Sequence, residues 1–268
     1  LSDEVDPAVE LFTLTSALRA HVEWQKATGV LELPRATPSA VPAEAAAPAR
    51  RARESVAEAP PVQLKPSAPI ERLDPAERVA RLKVIADEVA ACKTCRLHET
   101  RTQTVFARGS GSAGLCFVGE GPGADEDAQG LPFVGKAGQL LDKMIEAMGF
   151  SRDEVYVCNC VKCRPPNNRK PEMDEMAACG GYLERQLEII QPEVIVALGA
   201  TAVQGLLGTT EGITRLRGKW KLYKGRIAVM PTFHPAYLLR TPTAKRDVWN
   251  DLQAVLRQMG RAVPPPKK

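Results

Sequence analysis

Four cysteines set the strongest constraint on how this chain folds. Cys92 and Cys95 form a C-x2-C pair, and Cys163 and Cys179 follow after a long gap, with fifteen residues between them. Two thiolates at x2 spacing grip one metal centre. Cys163 follows an apolar strand and Cys179 lies within the next helix, so the two meet across that connection. Zinc ribbons repeat the tight spacing in both halves, and this chain does not. The spacing therefore favours an iron–sulfur cluster over zinc. The plain alternative is a set of buried free thiols, since cysteine is among the most buried residue types. Cys160 rivals Cys163 as the third ligand. It shares a strand face with Cys158, opposite Asn159. Cys116 sits in an apolar run and reads as core.

Seven cysteines in 268 residues is an odd count, which disfavours a secreted disulfide framework. A hydrophobic fraction of 44% supports a core, and a formal charge of +4 points only weakly to an anionic partner. No run of eighteen apolar residues predicts a membrane span, and no basic-then-apolar leader is expected at the start.

The chain divides by composition. Residues 1–33 carry apolar positions Leu11, Leu14, Leu18, Val22 and Trp24 at helical spacing, a helical extension that serves as a partner hook or as a dispensable arm. Residues 34–70 are about half Ala and Pro and contain no aromatic. Such a stretch buries too little to offset its chain entropy and reads as a flexible linker. Residues 71–262 form the folded domain, and 263–268 a disordered basic tail. Asp74-Pro75-Ala76-Glu77 opens a helix, with Asp as N-cap and Pro at the first helical position. Apolar strands at 115–120, 155–160, 194–198 and 227–231 then alternate with helices at 140–148, 171–190, 200–207 and 244–259. That order predicts an α/β fold with a mainly parallel sheet covered on both faces. Ligands of such sheets bind beyond the carboxyl ends of the strands.

Two turns follow strands directly. Gly119-Glu120-Gly121-Pro122-Gly123 looks like a dinucleotide turn, but Asp125-Glu126-Asp127 follows and the next clear helix is expected about ten residues on. Phosphate is disfavoured there. The glycines instead bring backbone amides close to a neutral group or a developing anion. His234-Pro235 follows the strand at 227–231, and a histidine in that place reads as functional. Arg215, Arg217, Lys219 and Lys221 alternate with Leu216, Gly218 and Trp220. As a strand they share one face, either a solvated edge or a phosphate-contacting surface.

From about Ala91 to Met259 the chain resembles the family 4 uracil-DNA glycosylases, the iron–sulfur branch of that superfamily. The resemblance rests on Gly119 to Gly123, Gly130-Leu131-Pro132-Phe133-Val134-Gly135, Asn159 through Pro166, and His234-Pro235-Ala236-Tyr237-Leu238-Leu239. It implies a three-layer α/β/α sandwich with a [4Fe–4S] cluster on Cys92, Cys95, Cys163 and Cys179. It implies that Phe133 stacks on a flipped uracil, that Asn159 reads its polar edge and that His234 hydrogen-bonds the departing base. Glu120 falls in the water-activating motif, and Gly119, Gly121, Pro122 and Gly123 line the base. The expected partner is uracil-containing DNA, with no membrane, in a monomeric protein of the cytoplasm at the nucleoid. Residues 1–33 are a candidate contact for a repair or replication partner.

The chemistry agrees with these residues. A base must leave the stack before its glycosidic bond is attacked, and a preorganised donor stabilises the departing anion. His234 serves as a neutral donor or as imidazolium. Leu238 is the expected wedge into the vacated stack, with Tyr237 as alternative. Some superfamily branches carry aspartate near Gly121, and glycine there leaves Glu120 as the candidate for placing water. Two other readings stand beside this one: a non-catalytic iron–sulfur lesion sensor, and a glycosylase for other deaminated bases.

Overall fold

Asp74 starts the first helix as its side chain predicts. Its carboxylate accepts from the backbone N–H of Ala76 at 2.7 Å and of Glu77 at 3.3 Å, which satisfies two of the amides a helix start leaves open. In the computed structural model, residues 73–265 are described. The expected extension at 1–33, the linker at 34–70 and the end of the tail at 266–268 lie outside them. Helix α1, Pro75–Ala91, buries Arg78, Leu82, Ile85 and Val89. That stripe packs on α4, Met173–Ile190.

Six strands form one sheet: β1 (Ala107–Gly109), β2 (Leu115–Gly119), β3 (Tyr156–Asn159), β4 (Val194–Leu198), β5 (Lys221–Tyr223) and β6 (Ile227–Thr232), in the order β1-β3-β2-β4-β6-β5. The four inner strands are parallel, and the two short edge strands are antiparallel to their neighbours. Every residue of β2, β3 and β4 is buried, as expected for a sheet covered on both faces. Alternate residues serve opposite cores. Phe117, Val157, Val196 and Met230 face α3 (Lys136–Ala147) and α8 (Lys245–Gln258). Cys116, Cys158, Ile195 and Val229 face α4, α5 (Ala200–Leu207) and α1. The architecture is the three-layer α/β/α sandwich. Each large apolar side chain so buried contributes roughly 1.5–3 kcal/mol.

The register fixes the functional rim. Gly119 pairs with Asn159, and Leu198 with Thr232, so the carboxyl ends of the inner strands finish level. Among the described residues no helix is long and apolar enough to cross a membrane.

Two elements differ from expectation. Gly123 caps a short helix, α2 (Ala124–Gln129), that follows the glycine turn without a gap. Its three acids occupy the first turn, where they favour the helix N-terminus. The predicted basic strand is absent. Residues Ile213–Leu216 form the short helix α6, Gly218 has φ +72°, and β5 begins only at Lys221. The four cations therefore share no strand face. The helices around the site also start earlier or later than their apolar residues indicate: α3 begins at Lys136, and α8 follows a single 3-10 turn at Pro242–Ala244.

Candidate active site

A cavity of about 260 Å3 opens beyond the strand ends, between the loop 120–123, Phe133, Asn159 and His234. The loop continues the pairing of β2 with β3: Cys160 N–H donates to Gly119 O at 3.0 Å, and Val161 N–H to Glu120 O at 3.2 Å. Space is tight enough to require glycine. A Cβ on Gly119 would collide with Asn159 Oδ1 and stand 2.5 Å from Phe133 Cζ, and one on Gly121 would stand 2.7 Å from Val161 Cγ2.

Phe133 forms one wall with φ +56°, a region bulky residues rarely enter and which costs of order 1–3 kcal/mol. Its surroundings hold it there. Glu126 Oε1 accepts from Val134 N–H and Gly135 N–H, both at 2.9 Å, and Oε2 accepts from Gly123 N–H at 3.1 Å. One carboxylate thus ties the start of α2 to the start of α3 on either side of the ring. It thereby takes up the Gly123, Val134 and Gly135 amides.

Asn159, the last residue of β3, is 2% exposed. Its Oδ1 has no hydrogen-bond partner. An unpaired buried acceptor costs about 1–3 kcal/mol, so this atom is prepared for a donor that enters the cavity.

His234 caps α7, Pro235–Arg240. Its Nδ1 accepts from Ala236 N–H at 3.1 Å, which leaves the proton on Nε2. Burial, with the nearby Arg240 charge, pushes its pKa down to about 4. Of the two forms left open by the sequence, the neutral donor is therefore the one present at pH 7. The ring lies 5.7 Å from Phe133, centroid to centroid. Opposite, Thr201 Oγ1 donates to Glu120 Oε2 and leaves the other carboxylate oxygen for a second partner. Thr201, in the first turn of α5, carries no motif that marks it in the sequence.

Cys92, Cys95, Cys163 and Cys179 line a second, smaller cavity. Arg101 Nη1 donates to Cys163 Sγ at 3.0 Å, and Lys162 N–H to Cys179 Sγ at 3.3 Å. Burial pushes the Cys179 thiol up to about 11 and raises Cys163, while hydrogen bonds from Thr94 and Tyr182 outweigh burial and lower Cys92. Cys160 does not line this cavity. Its Sγ faces the Thr201 and Ala202 carbonyls at 4.0 Å, because strand alternation turns it toward α5. Cys116 lies fully buried in the sheet core. Among the described residues no group of three or more His, Cys, Asp or Glu forms a ready site for a metal ion.

Two further expectations are corrected. Leu238 is 1% exposed and packs in the core beside α3 and α8, whereas Leu239 is 46% exposed. The helical turn of α7 points 238 inward, so Leu238 is no wedge. Tyr237 stacks on Phe233 at 4.8 Å. Of the basic residues, Arg217 is committed internally, donating to Asp251 Oδ1 at 2.7 Å and lying over the Phe233 ring. Arg215 and Lys219 are exposed and Lys221 is half-buried.

Comparison with known proteins decides the family. The model of the uracil DNA glycosylase superfamily matches residues 106–253. The type-4 uracil-DNA glycosylase of Thermotoga maritima is 47% identical over 175 residues, which is 64% of this chain and 91% of that protein. The chain belongs to the uracil-DNA glycosylase superfamily, in its type-4 branch. The type-4 uracil-DNA glycosylase of Sulfurisphaera tokodaii is 44% identical over 182 residues, 65% of this chain and 83% of its own. That of Archaeoglobus fulgidus is 42% identical over 187 residues, 67% and 94%. The matched superfamily segment contains every pocket residue from Gly119 to His234, while Cys92 and Cys95 precede it. Within this glycosylase, sequence reasoning missed Thr201 and the bracing role of Glu126, while Arg169, read only as part of a basic segment beside Cys163, lies on the rim. Thr201 meets Glu120 only across 81 residues of chain, while Glu126 acts through amides 3 to 9 residues away.

Proposed function

We propose that this protein is a uracil-DNA glycosylase: it takes a uracil flipped out of DNA, hydrolyses the N-glycosidic bond and leaves an abasic site that starts base-excision repair. The names of its type-4 relatives support this. The observation that carries it is the buried, unpaired Oδ1 of Asn159 beside the Phe133 ring. Uracil offers an N–H donor to that oxygen and a carbonyl to the amide N–H. Cytosine presents the reverse pattern, and a polar site left unpaired rejects such a ligand strongly. Phe133 stacks on the base. His234 Nε2–H donates to the uracil oxygen that gains negative charge as the bond breaks. Glu120, steadied by Thr201, orients water toward the sugar or offsets its positive charge. The proton of that water passes to the carboxylate and the hydroxide to the sugar carbon.

We infer that Cys92, Cys95, Cys163 and Cys179 hold an iron–sulfur cluster of the [4Fe–4S] type. The donor set fits: four soft thiols, no carboxylate and two cationic side chains line one cavity. These four cysteines would hold the cluster through their sulfurs. When bound, it would tie the end of α1 to the segment between β3 and α4. The same reading makes the protein a monomer that acts on DNA at the nucleoid, in the cytoplasm.

The test is incubation of the purified protein with an oligonucleotide holding one uracil, then alkali. Strand breaks at uracil, with none at cytosine or thymine in matched controls, are the expected result. Asn159→Asp should narrow the preference for uracil over cytosine by at least about tenfold, as expected for loss of a discriminating hydrogen bond. Binding of the uracil strand without base release would replace the enzyme by a lesion sensor. Equal release of hypoxanthine would widen the substrate class.

A further inference from the structure

A buried ammonium joins the two cavities. Lys162 is 1% exposed, one of the largest fully buried side chains. Among the described residues no carboxylate forms an ion pair with it. Its Nζ donates to the backbone carbonyl of Asn159 at 2.7 Å. It lines the four-cysteine cavity, and its backbone N–H donates to Cys179 Sγ at 3.3 Å. Its own carbonyl accepts from Val105 N–H at 2.8 Å, which fixes the segment from the other side. An isolated ammonium is too costly to bury without a counter-charge. The Lys162 charge acts on Cys179 of the cavity and on Cys116, Cys158 and Cys160 of the neighbouring sheet core, and of these groups only a cluster held on four thiolates would be a fixed anion.

We propose that Lys162 is a positioning residue that couples the cluster to base recognition. The cluster supplies the negative charge that keeps the ammonium buried, and the ammonium holds the Asn159 backbone where its side chain meets the uracil edge. Asn159 and Cys163 are only four residues apart, so a shift of this short segment reaches both. The inference rests on the glycosylase reading and deepens it, for it gives the cluster a part in selectivity without any redox step. Outer partners of metal ligands commonly tune affinity by about 10–100-fold.

The test compares native holoprotein with Lys162→Met, which keeps length and removes charge. Two quantities are read: the rate at which a chelator strips iron, followed by the cluster absorbance, and the inhibition constant of free uracil at full iron loading. For Lys162→Met, stripping should quicken about tenfold. Free uracil should bind about tenfold more weakly, and discrimination against cytosine should fall. Native stability of the cluster, or native uracil affinity in the fully loaded variant, overturns the coupling. Native protein that holds no iron or releases no uracil overturns the underlying reading instead. If Lys162→Met does not fold, the native holoprotein is titrated with chelator and its uracil affinity followed. Affinity should fall in step with cluster loss, and full affinity after complete loss refutes the proposal.

Discussion

A methyl group on Gly119 would collide with Asn159 Oδ1, and would also stand 2.5 Å from the Phe133 ring. The last residue of one strand thus leaves room for the two side chains that face the base. Gly119→Ala should keep the fold, since the backbone there is ordinary strand, yet fill the base site. We expect free-uracil affinity and kcat/KM to fall at least about 100-fold, with a loss of two close contacts of this kind. Circular dichroism and uracil inhibition measure the two separately.

His234 is a neutral imidazole at pH 7, because burial, with the nearby Arg240 charge, pushes its pKa from 6.5 to about 4. Its titration should leave kcat flat down to about pH 5 and lower it only as pH nears 4. The unfolded chain takes up this proton at about 6.5 and the folded protein does not. Stability is therefore lost as pH falls from about 6.5 to about 4, and no further below that. His234→Gln should remove this part of the pH dependence in thermal melts. Its kcat should drop about 100–1000-fold, the usual effect of removing such a donor.

Thr201 donates directly to Glu120, which lines the cavity. Glu120→Gln should lower kcat by about 100-fold or more with little change in KM, as for a group used mainly in the transition state. Thr201→Val frees the carboxylate without removing it and should cost less, about tenfold, in the same parameter. A change confined to KM in single-turnover and steady-state kinetics would assign Glu120 to binding instead.

Glu175 is fully buried and pairs with Arg169 at 2.6 Å and Arg96 at 3.0 Å. Hydrogen bonds from Arg169, aided by Arg96 and the Glu172 backbone, hold its pKa at about 2 against 4.5. This pairing stabilises the fold above about pH 4.5 and is lost as pH falls toward 2. Arg96 follows Cys95, and Arg169 lies on the rim of the base cavity. Glu175→Ala should cost about 1–3 kcal/mol by urea unfolding, because it leaves the two partly exposed arginines with only Glu172 as a carboxylate partner.

Adjacent leucines should behave oppositely. Leu238→Ala removes a core side chain and should cost about 2–5 kcal/mol. Leu239→Ala should leave stability within about 0.5 kcal/mol. If its exposed side chain enters the space left by the base, it should slow uracil release from duplex more than from single strands. Equal loss on both substrates would remove Leu239 from that role.

Much of this was legible because the strands are short, apolar and directly followed by their functional residues. Gly119, Asn159 and His234 each sit at or just past a strand end, and parallel register brings them level. Residues read through a local rhythm fared worse. Arg215 to Lys221 alternates as a strand does, but Gly218 takes positive φ and Arg217 is claimed by Asp251, a partner in the last helix. Helix α2 was hidden because its cap is glycine and its first turn is acidic, a pattern read as anion repulsion before it was read as a helix start. Leu238 and Leu239 exchange roles through a single step of the helix, which depends on how α7 lies on the core. Thr201 and Lys162 act through atoms that become neighbours only after folding.

Glu126 gives the fold an internal anion. Its carboxylate already occupies the Gly123, Val134 and Gly135 amides at the starts of two helices. The wall of the base pocket is therefore set before any ligand arrives. The same carboxylate that braces Phe133 ties the ring to both helix starts, so that wall moves only if they do.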